Sequence, residues 1–164
     1  MPNTRSLLFV LWGPHFDEVA AALFVTGFRH VGCQVKVVGL EARPVAGRYG
    51  LTLTPDIALG RALSLTKRLY GVVAPCTATP LLRFACDPRL SALLAQAKMV
   101  HSYFWAPTDI TPALAALGVS AHHWARYPDV AALPAFVHML AQEYWTHSQR
   151  FVPAALNDLS TDGV

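Results

Sequence analysis

The stretch Val100-His101-Ser102-Tyr103-Phe104-Trp105-Ala106-Pro107 closes an apolar run and stops just before Thr108, where a helix is expected to begin. A sharp strand-to-helix turn is where many α/β proteins expose a nucleophile, because the turn pushes one side chain into a cleft beside the N–H groups of the helix start. Here the elbow positions carry Phe104 and Trp105, which cannot attack a substrate. The thiols lie elsewhere, at Cys33, Cys76 and Cys86. Cys76 is the one placed for chemistry, in a turn after the apolar run "YGVVAP". A catalytic thiol needs a lowered pKa, hence a cationic or helix-terminal neighbour; without one, Cys76 is an inert buried cysteine. His101 lies in the elbow strand, and His122 and His123 lie in a later candidate strand, "VSAHHW". Neighbouring strand residues point to opposite faces, so only one of His122 and His123 can reach a given site. No zinc-type ligand spacing occurs, and neither a metal nor another cofactor is expected.

Strand ends must converge for these residues to meet. Leu7 to Trp12 is continuously apolar, as a parallel strand covered on both faces requires, and Gly13-Pro14 ends it. "FDEVAAALFVTGFRHV" has Asp17 and Glu18 at its front and Arg29 and His30 at its back, the polarity that complements a helix dipole. Gly32 stands where a C-terminal glycine cap belongs, and "QVKVVGL" completes a β-α-β unit. "GRYGLTLTPDIAL" alternates Leu51, Leu53 and Ile57 with polar residues and predicts an irregular, partly exposed hairpin. "YGVVAP" is a short buried strand, and "DPRLSALLAQAK" is a helix with Asp87 as N-cap and Pro88 at its first position. "MVHSYF" is another strand, and "TDITPALAAL" a short helix with Pro112 in its first turn or at a kink. Leu133, Phe136, Val137, Leu140, Ala141 and Tyr144 recur at helical spacing. Alternating strands and helices predict an α/β three-layer sandwich with a mostly parallel, doubly wound sheet, whose ligand sites lie at the carboxyl ends of the strands. One domain is expected over residues 1–150, with a tail over 151–164.

Three segments together resemble the ThiJ/PfpI superfamily, which includes the intracellular protease I group and the Parkinson-associated deglycase. They are "FDEVAAALFVTGFRHVGCQVKVVGL", an acid-bearing helix and second strand; "VAGRYGLTLTPDIAL", similar to the family's G-x-x-G-x-x-x-x-x-D hairpin; and "YGVVAPCTATPLLRFACDPRLSALL", similar to its strand, P-G-G turn and helix opened by Asp. The resemblance implies a flavodoxin-like, class I glutamine amidotransferase-like sandwich. The family elbow reads approximately C-H-G-P or C-A-G-P. On this chain Pro107 matches its Pro, Ala106 replaces Gly, and Phe104 stands where the cysteine should be. The resemblance makes Glu18 the acid that hydrogen-bonds that cysteine, pointing into a pocket beside Phe104, with Cys76 and Thr77 in place of the pocket glycines. Glu18 equally fits a plain first-turn acid favoured by the helix dipole. Thr77, His101, Phe104, Trp105, His122 and His123 are the candidate pocket residues, and Cys76 with Glu18 the candidate catalytic pair.

Hydrophobic residues make up 54% of the 164 residues and charged ones 14%, too little charge to cover an isolated globule comfortably, so a homodimer face is expected. The net charge of +3 comes without a basic stripe, and no nucleic-acid footprint exists. The first apolar run is too short to span a membrane and lacks a signal-type cleavage site; three cysteines without a CxxC pair argue against a disulfide framework. A cytoplasmic protein is expected. In "HMLAQEYWTHSQRF", Trp145 and Phe151 exceed what one helical stripe buries and suit a protein partner as well as core packing. The function expected is a non-catalytic or catalytically diverged ThiJ/PfpI-like protein acting as a small-ligand-binding or protein-interaction module. The alternatives are a cysteine-dependent hydrolase or glyoxalase-type enzyme using Cys76 with Glu18, and a structural subunit of a larger assembly.

Overall fold

In the computed structural model, which describes residues 6–107, 110–118 and 124–149, the first apolar run forms strand β1 (Leu7–Leu11), buried throughout. Helix α1 (Glu18–His30) follows, capped by Asp17, whose carboxylate accepts from the Ala20 N–H at 3.0 Å. Its buried face carries Ala20, Ala21, Phe24 and Phe28. Gly32 ends it with φ +82°, where only glycine is unstrained, and the Gly32 and Cys33 N–H groups close on Arg29 and Phe28 carbonyls. Strand β2 (Gln34–Gly39) then pairs parallel with β1.

The expected hairpin is β3 (Val45–Ala46) against β4 (Thr52–Leu53). Ile57 leaves it for β5 (Ile57–Ala58), which joins the main sheet beside β2. Asp56 makes that docking, since its carboxylate accepts from the Val37 N–H at 2.8 Å and its own N–H donates to the Val37 carbonyl at 2.8 Å. Helix α2 (Leu59–Leu63) and a 3-10 turn (Thr66–Arg68) lead into β6 (Leu69–Val73). Helices α3 (Ala78–Phe84) and α4 (Pro88–Met99) follow; Asp87 caps α4 through the Arg89 N–H, as its sequence predicts. Strand β7 (Tyr103–Ala106), helix α5 (Thr111–Ala116), strand β8 (Ala125–Arg126) and helix α6 (Leu133–Gln149) complete the chain. The main sheet runs β5-β2-β1-β6-β7-β8, all parallel and flanked by helices, with the strand order of a flavodoxin-like fold apart from the added edge β5.

One boundary differs from expectation in a way that matters for the site. Met99 and Val100 end α4 instead of opening a strand, because the Val100 N–H still donates to Gln96. His101 then turns the chain at φ +53°, and β7 starts only at Tyr103. A short apolar run does not by itself distinguish a helix end from a buried strand. The elbow is thereby shifted toward Pro107, and Phe104 and Trp105 lie in mid-strand.

Trp105 lies on the α1 side of the sheet among Phe24, Phe28 and Tyr70, its indole packed directly over Gly71. Phe104, pointing to the other face, meets Trp124 at 5.0 Å between ring centroids. Helix α6 packs on α1, with Val137 against Gly27 and Tyr144 against Phe28. Burial among these rings pushes the Cys33 thiol up to about 11 and the Tyr144 phenol up to about 12. The folded state thus holds these protons more tightly than the unfolded chain, and that stability is complete below the ordinary thiol value of 9.0 and is lost above it. The urea midpoint should therefore fall as pH is raised from about 9 toward 11; a midpoint level across that range would show that these groups are not held protonated by the fold.

Candidate functional site

The carboxyl ends of β1, β6, β7 and β8 converge on one cavity of about 630 Å³. The chain leaves β1 toward β2 on one side and β6 lies on the other, so this is the switch point where an open α/β sheet leaves a crevice. Short backbone ties shape it. The Asp17 N–H donates to the Pro75 carbonyl at 2.7 Å, joining the loop after β1 to the turn after β6. The Ala74 N–H donates to Trp105, and the Tyr127 N–H to Ala106, at 2.9 and 3.0 Å, which sets the remaining strand ends level.

From the loop after β1 come His15, in the left-handed region at φ +64°, and Asp17. Arg48 projects from the β3–β4 hairpin, and Cys76, Thr77 and Pro80 come from the turn after β6 and the start of α3. Pro107 follows β7, and Tyr127, Asp129, Val130 and Leu133 run from the end of β8 into α6. Charge and burial are segregated: His15, Arg48 and Asp129 are exposed, whereas Cys76 and Tyr127 are 3% and 6% exposed. Burial drives the Cys76 thiol far above its usual range. Burial, with Cys76 and then Asp17 nearby, does the same to the Tyr127 phenol. The floor thus holds two proton-bearing, uncharged groups.

Glu18 does different work. It is 3% exposed, yet it is not among the residues lining the cavity. Its carboxylate accepts from the Tyr49 N–H at 2.8 and 3.1 Å and from the Leu51 N–H at 3.0 Å, tying the hairpin to the first turn of α1. Gly47 makes the approach possible, since a Cβ there would lie against the carboxylate.

No family model matches the chain, and no curated protein matches it. Solved structures do. A DJ-1 superfamily protein from Salmonella typhimurium superposes with a TM-score of 0.74 over 87% of this chain and 92% of its own, at 15% identity. DJ-1beta of Drosophila melanogaster gives 0.70 over 88% and 96% at 16% identity, and oxidized DJ-1 of Toxoplasma gondii gives 0.71 over 88% and 96% at 14%. The chain has the DJ-1 fold.

On the DJ-1 fold the expected site residues separate. Cys76 and Thr77 line the cavity. Phe104 and Trp105 do not; they are buried on opposite faces of β7, because the strand extends past them. His101 is exposed at the amino end of β7, the opposite end of that strand from the cavity, because α4 runs longer than its sequence suggests. His122, His123 and the tail over 151–164 fall outside the described residues. His15, Arg48, Tyr127 and Asp129 were not singled out from the sequence. Arg48 sits inside the quoted hairpin and Tyr127-Pro128 in the segment before the last helix, and an exact end for β8 would have pointed to Tyr127 as a strand-end residue. Among the described residues no three His, Cys, Asp or Glu side chains converge as a metal ion would require, and no helix is long and apolar enough to cross a membrane.

Proposed function

We propose that the chain is a diverged member of the DJ-1/ThiJ/PfpI superfamily that binds a small ligand in the cavity at its strand ends and performs no thiol chemistry there. The observation that supports this reading is the condition of Cys76. The thiol lies against the cavity, but burial holds it protonated, and no cation or hydrogen bond among the described residues draws the proton away. Glu18, the expected acid partner, has its carboxylate engaged by two backbone N–H groups of the hairpin. An activated nucleophile needs a base or a depressed pKa, and among the described residues Cys76 has neither. What remains is an open cavity with unpaired donors, the makings of a binding site.

Site-resolved alkylation of the native chain across pH, read by mass spectrometry, tests this. Cys86, which is exposed, is expected to label at neutral pH, and Cys76 to stay unlabelled until alkaline pH loosens the fold. Rapid labelling of Cys76 near pH 7, or a hydrolase or glyoxalase turnover that disappears in Cys76→Ser, would overturn the reading. The proposal extends to self-association. Trp145 on α6 and Tyr103 on β7 are 46% and 54% exposed, and large aromatics at a surface are common anchors. Light scattering is expected to give a dimer mass at micromolar concentration; a monomer mass would remove that part.

A further inference from the structure

We infer that the cavity, taken as the ligand site proposed above, receives a small organic acid with an uncharged oxygen at its far end: that oxygen accepts from Tyr127 at the floor, and the carboxylate pairs with Arg48 at the mouth.

The floor supplies the first half. Tyr127 is buried, lines the cavity, and its hydroxyl has no hydrogen-bond partner among the described residues. The residue is buried but its oxygen is not among the sealed, unpartnered atoms, so the hydroxyl reaches the cavity and can donate to whatever fills the space. Cys76 beside it has no hydrogen-bond partner among the described residues either and can add only a weak donor. Among the described residues no charged side chain is buried at the floor, so an ionised group there would lack a counter-charge from them, and the matching acceptor is a neutral oxygen such as an amide or hydroxyl.

The mouth supplies the second half. Asp17 and Asp129 also line it and keep their charge, which is offset in part where each accepts a backbone N–H at a helix start, Asp17 from Ala20 at 3.0 Å and Asp129 from Ala132 at 3.2 Å. Arg48 has no ion pair among the described residues; its guanidinium carbon lies 5.5 Å from the centre of the Tyr49 ring. A planar guanidinium with free N–H groups is suited to grip a carboxylate through two of them. Between mouth and floor, Pro80, Pro107, Val130 and Leu133 provide apolar wall for a short methylene chain.

The test is an NMR titration of the full chain with four probes of nearly equal size: glutaramate, carrying both an acid and an amide; valerate, the acid alone; glutaramide, without charge; and aminovaleramide, with an amine in place of the acid. Glutaramate is expected to bind about fivefold tighter than valerate and about tenfold tighter than glutaramide, as one neutral and one charge-assisted contact would give. Tyr127→Phe should erase the preference over valerate and keep that over glutaramide, while Arg48→Gln should do the reverse. Because each preference is a ratio within one variant, a general loss of folding cannot imitate the pattern. Equal binding of glutaramide or aminovaleramide and glutaramate to the unmodified chain, or preferences unmoved by both variants, would overturn the ligand class and leave the cavity as a binding site. No shift of the Ala20, Cys76 and Leu133 resonances with any probe would overturn the class and count against the cavity reading itself.

Discussion

Glu18→Ala is expected to destabilise the chain by about 2–4 kcal/mol in urea denaturation, as the loss of charge-assisted hydrogen bonds to two backbone N–H groups implies. The carboxylate is buried and receives both the Tyr49 and the Leu51 N–H, so its removal leaves a hole and two unpaired donors together. Glu18→Gln should fall between: one oxygen still accepts, but the amide nitrogen turns a donor toward a donor. Gly47→Ala acts on the same contact from the opposite side, because its Cβ would lie against the carboxylate. In a double-mutant cycle Glu18→Ala and Gly47→Ala should therefore be strongly non-additive. A purely catalytic acid gives another result, with activity lost and the urea midpoint unmoved; a Glu18→Ala change below about 0.5 kcal/mol, the level of ordinary surface substitutions, would remove the structural role assigned here.

Phe104→Cys, which puts a thiol where the ThiJ/PfpI resemblance would place the elbow cysteine, is expected to cost about 3 kcal/mol and to yield an unreactive thiol. Phe104 is buried in mid-strand against Trp124, and a shorter side chain leaves a cavity beside that indole. The new sulfur would sit in apolar surroundings that favour the protonated form, away from the cavity lined by Pro107 and Tyr127. Iodoacetamide labelling of the folded variant at neutral pH should be negligible at position 104. Fast labelling there, with any gain of esterase activity, would show that the elbow is only one substitution away from function.

The fold was largely readable because its signals are local and strong. Leu7 to Leu11 is apolar without interruption, Asp17 and Asp87 cap the helices they precede, and Gly32 adopts the positive φ that its place after a helix demands. The site was much less so. Its geometry turns on where β7 begins, and Met99-Val100 satisfies a helix end and a strand start equally well by composition. Four residues of displacement at that start, from Met99 to Tyr103, turned core aromatics into apparent pocket residues. Tyr127 and Arg48 were hidden for another reason: each stands out by lacking a hydrogen-bond or ion-pair partner among the described residues, a property with no trace in spacing or periodicity. Glu18 was legible as a special acid, but its sequence does not say whether the carboxylate faces a thiol or a loop of backbone.

That last contact separates two measures that usually travel together on a protein surface. Tyr49 and Leu51 present side chains that are 66% and 57% exposed, on a hairpin whose own ladder spans only two residues per strand. Their amide hydrogens should nevertheless exchange with deuterated solvent slowly, at a rate set by the opening of the first turn of α1 and not by the fluctuations of the hairpin. Arg48, just before them, has its own N–H donating to the Phe16 carbonyl at 2.8 Å, so this wet edge of the molecule carries a clock wound by the interior.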